Sequence, residues 1–124
     1  MKEIIYTKNA PEPIGPYSQA IMVNDTLYAS GQIAINPETG EFVDGDINMQ
    51  TEQVCKNIKA ILEASEMTFE NVVKTTCFLA YISDFSNFNK VYSEYFVSNP
   101  ARSCVAVKEL PKNALVEVEI IATK

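Results

Sequence analysis

The chain has 124 residues, 47% of them hydrophobic and 21% charged, and this length and balance predict one globular domain over residues 1–124. The formal net charge is −6 and the lysines form no run or stripe, which argues against a nucleic-acid partner. The apolar runs are too short to span a bilayer and no basic amphipathic helix is evident, so no membrane partner is expected.

The cysteines are three in number and no pair has C-x-x-C spacing, so neither a disulfide framework nor a zinc site is predicted. Residues 1–6 carry charges and begin no long apolar segment, which does not fit a signal peptide. These features predict a cytoplasmic protein without a metal. The cysteines are Cys55, Cys77 and Cys104.

The first forty residues predict three strands separated by turns. The segment 8–18 contains Pro11, Pro13, Gly15 and Pro16, which predict a stiff irregular loop. Asn24-Asp25 favours a hairpin turn between two apolar segments, and residues 36–40 form a further turn. The strands are expected at residues 3–7, 20–23 and 26–33.

The apolar period changes near residue 48. Val54, Ile58, Ile61 and Leu62 share one helical face, which predicts a helix over 48–65 with Asp46 or Asn48 as its cap. A β-rich segment over 72–82 follows, and then a second helix from a cap at Asp84 to Phe96 with an aromatic stripe assigned to the core. The last strands are expected at residues 103–107 and 115–122.

The predicted order βββαβαββ favours an α+β fold in which a mixed six-stranded sheet carries both helices on one face. Three strand segments are nevertheless apolar on both sides, at residues 20–23, 77–80 and 120–122. Strands of this kind are buried on both faces, and two helices cannot cover both. A second copy of the chain is therefore expected to cover the other face.

Chemistry in this chain is limited by the absence of histidine. No neutral-pH imidazole base, Ser-His or Cys-His pair, or histidine metal site can form. The only arginine, Arg102, follows Pro100 and precedes an apolar strand pattern. Its guanidinium suits bidentate binding of a carboxylate or phosphate, and a structural salt bridge to one of sixteen carboxylates is an equal alternative.

Glu117 and Glu119 lie two residues apart in a predicted strand, so both carboxylates face one side. Within a cleft one of them could transfer protons for a water molecule, since partial burial raises a carboxyl pKa. A solvated strand face is the simpler interpretation. Cys104 could be a nucleophile with Arg102 lowering its pKa, but a buried inert thiol is favoured.

Two further segments carry candidate ligand contacts. Tyr17, in the stiff loop, could stack on a ligand or be an ordinary half-buried tyrosine. Ser30-Gly31 ends a predicted strand, where glycine permits close approach of a ligand to the backbone or marks a β-bulge.

Taken together, these segments resemble the RidA (YjgF) family, in the family's order and over nearly the whole chain. The segment 96–99 is shorter than in many members and lacks the apolar residue often found before the proline. The matching segments are Ile14-Gly15-Pro16-Tyr17-Ser18-Gln19-Ala20, Ser30-Gly31-Gln32-Ile33, Asn36-Pro37-Glu38-Thr39-Gly40, Pro100-Ala101-Arg102-Ser103-Cys104-Val105, and Leu110-Pro111 followed by Val116-Glu117-Val118-Glu119.

The resemblance implies a chorismate-mutase-like fold assembled as a homotrimer, with helices outside and clefts between subunits. It also implies hydrolysis of reactive 2-imino acids such as 2-iminobutanoate and 2-iminopropanoate to 2-oxo acids and ammonia. No cofactor is implied. The functional link is to pyridoxal-phosphate dehydratases, which release these imines and are protected by their removal.

The resemblance also implies roles for individual residues. Arg102 binds the substrate carboxylate, and Glu117 activates the attacking water and transfers protons to the departing ammonia. The backbones of Gly31 and Cys104 contact water and substrate, and Tyr17 from the adjacent subunit closes over the ligand. The remaining expected pocket residues are Ser30 and Asn89.

Two other functions stay open from the sequence. Some members of the family are described as translation-inhibiting endoribonucleases, which the charge and the missing histidine disfavour. A trimer that binds 2-oxo acids, or acts as a chaperone, without turnover is the other alternative.

Overall fold

The computed structural model describes all 124 residues as one six-stranded sheet with two helices. The strand order across the sheet is β1-β2-β3-β6-β4-β5. Only β4 and β5 run parallel, and the second helix connects them. The elements are β1 (Lys2–Ile5), β2 (Ala20–Val23), β3 (Thr26–Gln32), α1 (Ile47–Ala64), β4 (Val72–Leu79), α2 (Phe85–Tyr95), β5 (Ala101–Ala106) and β6 (Val116–Thr123).

The predicted order βββαβαββ is confirmed, and several predicted bounds are wrong. β1 ends before Thr7, whose amide is bound by a glutamine side chain instead of a neighbouring strand. β4 ends at Leu79 because a 3₁₀ turn over Ile82–Asp84 follows it. Asp46 caps α1, accepting from the Met49 amide at 2.9 Å. Asp84 precedes α2 but its side chain accepts no capping hydrogen bond.

The hydrophobic core lies between the sheet and the two helices. Alternate residues of β6 point into it and are buried, as the period of two predicts: Val116, Val118, Ile120 and Ala122. The predicted face of α1 packs above them, and its Val54, Ile58, Ile61 and Leu62 are fully buried. Each such side chain contributes roughly 1.5–3 kcal/mol through removal from water. None of the helices combines the length and apolar composition needed to cross a bilayer.

The opposite face of the sheet has no layer over it. A row of large apolar side chains crosses four neighbouring strands there, because Ile4 pairs with Ile21, Ile21 with Tyr28, and Tyr28 with Ile121. Ile4 is 66% exposed and Tyr28 50% exposed. Contiguous apolar surface of this kind marks an interaction site more often than free surface. Within one chain, only one of the two apolar faces of these strands is therefore buried, and the other remains exposed.

Gln19 anchors the proline-rich loop between β1 and β2. It is 2% exposed, and its Oε1 accepts from the Thr7 amide at 2.7 Å. Its Nε2 donates to the carbonyls of Thr7 and Pro11 at 3.0 and 2.9 Å. A buried amide that satisfies loop backbone groups in this way fixes a segment that has no regular hydrogen bonding of its own.

Replacing Gln19 by alanine should lower the free energy of unfolding by about 2–4 kcal/mol, because buried loop groups lose their partners. Guanidinium denaturation at fixed protein concentration measures this. The control is Ser93→Ala, which removes one exposed hydrogen bond to the Lys90 carbonyl and should cost less than about 1 kcal/mol. Equal losses in the two variants would contradict the anchoring role.

Candidate active site

The first group of expected site residues meets in one cavity on the uncovered side of the sheet. Tyr17, Ser30, Gly31 and Glu117 line this cavity, which has a volume of about 470 Å³. The proline-rich loop forms one wall, and the turn at Pro111-Lys112 forms another. Tyr17 therefore reaches the cavity of its own chain and needs no second subunit to meet Glu117.

A β-bulge brings the backbone of β3 close to the Glu117 side chain. The pairing of β3 with β6 shifts between Ala29 and Gln32, so Ser30 and Gly31 occupy the irregular step. A Cβ atom on Gly31 would lie 2.4 Å from Oε2 of Glu117, so any larger residue would displace the carboxylate. The β-bulge, one of the two alternatives from the sequence, is present, and the group that lies close to the Gly31 backbone is the Glu117 side chain.

Hydrogen bonds connect the bulge to the loop that contains Tyr17. The Ser30 hydroxyl donates to the Ser18 carbonyl at 2.6 Å, and the Ser30 amide donates to the Gln19 carbonyl at 2.9 Å. The Tyr17 hydroxyl accepts from the Ile14 amide at 3.2 Å, and the side chain remains 53% exposed. The tyrosine thus has a fixed position at the mouth of the cavity with its ring available to a ligand.

Burial raises the pKa of the Glu117 carboxyl above its ordinary value, and the neighbouring Glu119 raises it further. Both residues project from the same face of β6, as their spacing predicts, with Glu117 half-buried and Glu119 exposed. A carboxyl with a raised pKa exchanges protons more readily near neutral pH than an ordinary glutamate. The cavity therefore contains a group suited to accept and return a proton.

The second group of expected residues lies on the helix side of the sheet, around Arg102. The Arg102 guanidinium donates from Nη1 to Oδ1 of Asn89 at 2.8 Å. The guanidinium carbon lies over the ring of Tyr92, 4.8 Å from the ring centroid. The same carbon is 5.4 Å from the ring centroid of Phe85. The one hydrogen-bond acceptor of Arg102 within the chain is thus a neutral amide and no carboxylate, which removes the intrachain salt-bridge interpretation.

Cys104 belongs to the same group but is poorly suited to be a nucleophile. It pairs with Cys77 across β4 and β5 and is partly buried. Burial raises the pKa of the Cys104 thiol, and Arg102 offsets only part of that effect. A protonated thiol is weakly nucleophilic, so the contribution of this residue to a site would come from its backbone.

The two groups face opposite sides of the sheet in one chain. Arg102 pairs with Thr75 on the side covered by α2, whereas Glu117 pairs with Phe78 on the uncovered side. A small molecule cannot touch both side chains of the same chain. Sequence reasoning missed this separation, because it depends on the pairing register of three strands. It also missed Gln19 as an anchor and Tyr92 as a neighbour of the arginine.

The fold and the cavity define a small α+β protein with a carboxyl-containing site and a separate guanidinium. The family described as Endoribonuclease L-PSP matches residues 7–124. A RutC family protein of Pyrococcus horikoshii is 55% identical over 125 residues, covering 100% of this chain and 99% of that protein. A 2-iminobutanoate/2-iminopropanoate deaminase of Homo sapiens is 46% identical over 123 residues, covering 98% of this chain and 90% of that protein.

Solved structures agree with these relatives. The crystal structure of YyfA from Yersinia pestis, described as a member of the conserved Rid protein family, has a TM-score of 0.97 and 54% identity, with 100% of both chains covered. The chain therefore belongs to the Rid family, also called RidA/YjgF or L-PSP. This confirms the resemblance seen in the sequence and the fold that it implied.

Replacing Glu119 by glutamine should lower the pKa of Glu117, because the like charge on the same strand face is removed while burial remains. A ¹³C NMR titration of the Glu117 side-chain carboxyl carbon measures the shift. Glu38→Gln, in the exposed turn at residues 36–40, is the control and should leave the titration unchanged. A Glu117 pKa that does not fall in Glu119→Gln would show that the two carboxylates do not interact.

Proposed function

We propose that this protein hydrolyses reactive 2-imino acids, such as 2-iminobutanoate and 2-iminopropanoate, to 2-oxo acids and ammonia. The observation that carries the proposal is the half-buried Glu117 carboxyl, held against the Gly31 backbone in a cavity of small-molecule size. The human relative named as a deaminase of these imines supports the same reaction class.

The substrate carboxylate is assigned to Arg102 of a neighbouring subunit. Glu117 and Arg102 face opposite sides of their own sheet, so a complete site needs two copies of the chain. The uncovered row of Ile4, Ile21 and Tyr28 gives a second copy an apolar surface to cover. A homotrimer closes this arrangement with three equivalent clefts, since each subunit gives Arg102 to one neighbour and Glu117 to the other.

In this cleft the reaction begins with a protonated imine whose carbon is already electrophilic. The Glu117 carboxylate removes a proton from water as the oxygen bonds to that carbon, which gives a carbinolamine and a protonated Glu117. Glu117 then protonates the amino nitrogen. The hydroxyl proton passes to Glu117 as the C–N bond breaks, and a 2-oxo acid and ammonia are released. Ammonia then takes this proton from Glu117, which restores the carboxylate.

A site without histidine is sufficient for this reaction. The substrate needs positioning more than activation, and holding water and imine together can supply up to about 7–11 kcal/mol in favourable cases. Arg102 fixes the substrate through its carboxylate, Tyr17 covers the cavity mouth, and the backbones of Gly31 and Cys104 contact water and substrate. Asn89 contributes by binding the arginine. The protected partners would be the pyridoxal-phosphate dehydratases that release such imines.

Arg102→Ala should abolish imine hydrolysis while leaving the fold unchanged, because the substrate loses its carboxylate ligand. The purified protein is coupled to a threonine dehydratase, and free imine is trapped with semicarbazide. Wild type should reduce the trapped imine and Arg102→Ala should not. Lys108→Ala removes an equal charge from an exposed site after β5 and should behave as wild type.

The other functions predict different results when binding of 2-oxobutanoate and degradation of RNA are measured beside imine trapping. Binding of 2-oxobutanoate by wild type without any loss of trapped imine would select the non-enzymatic alternative. Degradation of RNA that is lost in Glu117→Gln would select the ribonuclease. Activity that survives in Arg102→Ala would reject the role of the arginine.

Mixed oligomers test whether the site is shared between subunits. Arg102→Ala and Glu117→Gln homo-oligomers should each be inactive. Co-expressed and selected for trimers that carry both tags, they should recover about one third of the wild-type activity, because every mixed trimer has one cleft of three that receives both an intact Arg102 and an intact Glu117. The measurement is imine turnover by doubly tagged, co-purified oligomers.

The control for mixing is a pair that carries the same defect. Arg102→Ala co-expressed with a differently tagged Arg102→Ala should stay inactive. Mixed oligomers of Arg102→Ala with Glu117→Gln that form but recover no activity would show that both residues serve one chain, which would reject the shared cleft.

A further inference from the structure

The surroundings of Arg102 are unusual for an arginine expected to bind a substrate. Two aromatic rings of α2 lie beside its guanidinium, and the nearer one, Tyr92, belongs to the aromatic stripe that the sequence assigned to the core. Tyr92 is 8% exposed, so it is buried as expected. Its contact with Arg102 is additional to that packing.

We propose that Tyr92 is a positioning residue for Arg102: its ring holds the guanidinium in the orientation in which it binds the substrate carboxylate. This inference rests on the proposed function, because it assigns Tyr92 a part in the affinity for the carboxylate. Tyr92 itself touches no substrate and acts through the arginine.

Contacts at the edge and face of the ring fix the position of Tyr92. Its hydroxyl shares a buried hydrogen bond of 2.8 Å with Oγ1 of Thr75. Thr75 pairs with Arg102 across β4 and β5, so the tyrosine is tied to the strand residue next to the arginine. Phe96 stacks on the ring at 4.2 Å, and since Arg102 lies over the same ring, the two occupy opposite faces.

The arrangement leaves most of the guanidinium available. Of its five N–H donors, one is used within the chain, to Asn89. A cation over an aromatic face is stabilised without using any N–H group, because the attraction comes from the electrons of the ring. Tyr92 can therefore restrict the motion of the Arg102 side chain while its donors stay free for a bidentate carboxylate.

This contact should affect binding more than proton transfer. Glu117 carries the proton steps in a different part of the cleft, so loss of the Tyr92 ring should raise KM and the dissociation constant of 2-oxobutanoate with little change in kcat. From the strength of cation–π contacts we expect Tyr92→Leu to weaken 2-oxobutanoate binding roughly tenfold. Tyr92→Phe retains the ring and should stay within about twofold of wild type.

The single arginine provides a direct reporter of its own position. In a ¹⁵N-labelled protein Arg102 gives the only arginine Nε–H resonance, and ring currents of Tyr92 act on it. The resonance should move in Tyr92→Leu towards the shift of a free arginine and stay near its wild-type position in Tyr92→Phe. Calorimetric titration with 2-oxobutanoate on the same three samples gives the affinities.

Phe88→Leu is the matched control. Phe88 lies on the same helix, is fully buried, and contacts Tyr92 at 5.4 Å between centroids without lying over Arg102. It should lower thermal stability at least as much as Tyr92→Leu and leave both the resonance and the affinity near wild type. If Phe88→Leu weakens binding as much as Tyr92→Leu, the effect is general core damage and the inference fails.

The outcomes separate this inference from the proposed function. Equal affinity of wild type and Tyr92→Leu would overturn the role of Tyr92, while imine turnover by wild type would keep the proposed function. Binding that depends on Arg102 and Tyr92 without imine turnover would reject the function and leave the positioning role standing. A wild type that neither binds 2-oxobutanoate nor lowers the trapped imine overturns both.

Discussion

The alternation of side chains along β6 is the constraint on which the rest of this structure depends. Val116 and Val118 point into the core beneath α1. The alternate residues Glu117 and Glu119 point to the opposite face of the sheet. Because both helices cover one face only, the glutamates remain outside the core on a strand that is central in the sheet. The same strand therefore stabilises the fold with one set of residues, and with the other it presents the half-buried Glu117 carboxyl to the cavity.

This alternation also separates Glu117 from Arg102 within one chain. The strand β5 extends the sheet in parallel with β4, and its pairing places Arg102 on the helix side, where α2 supplies Asn89 and the aromatic rings. Glu117 lies on the opposite side. In the proposed function, a site that needs both an anion ligand and a proton carrier would be completed by two copies of the chain, and the uncovered apolar row offers a surface for that contact.

The elements of the fold could be predicted from the sequence because their signals are local. The spacing of Val54, Ile58 and Ile61 defines α1, and the alternation of Val116 to Ile120 defines β6. The motifs around Arg102 and Glu117 indicated the family. The separation of these two residues could not be predicted, because it follows from the register of β6 with β4 and of β4 with β5, which no local pattern encodes. The contact of Tyr92 with Arg102 could not be predicted either. Helical spacing shows that the Tyr92 side chain is buried, but it does not show which residues that side chain contacts.

The half-buried position of Glu117 imposes a free-energy cost on the fold. Its pKa is raised in the folded chain, so between the unfolded and the folded pKa the native state binds more protons than the unfolded state. Stability therefore falls as the pH rises through that interval and stays lower above it, where the carboxylate is charged and half-buried. Core packing by the valines of β6 offsets this cost from the other face of the same strand. A glutamate left fully in solvent would avoid the cost, but in the proposed reaction its lower pKa would make it less efficient at returning a proton to the departing amine.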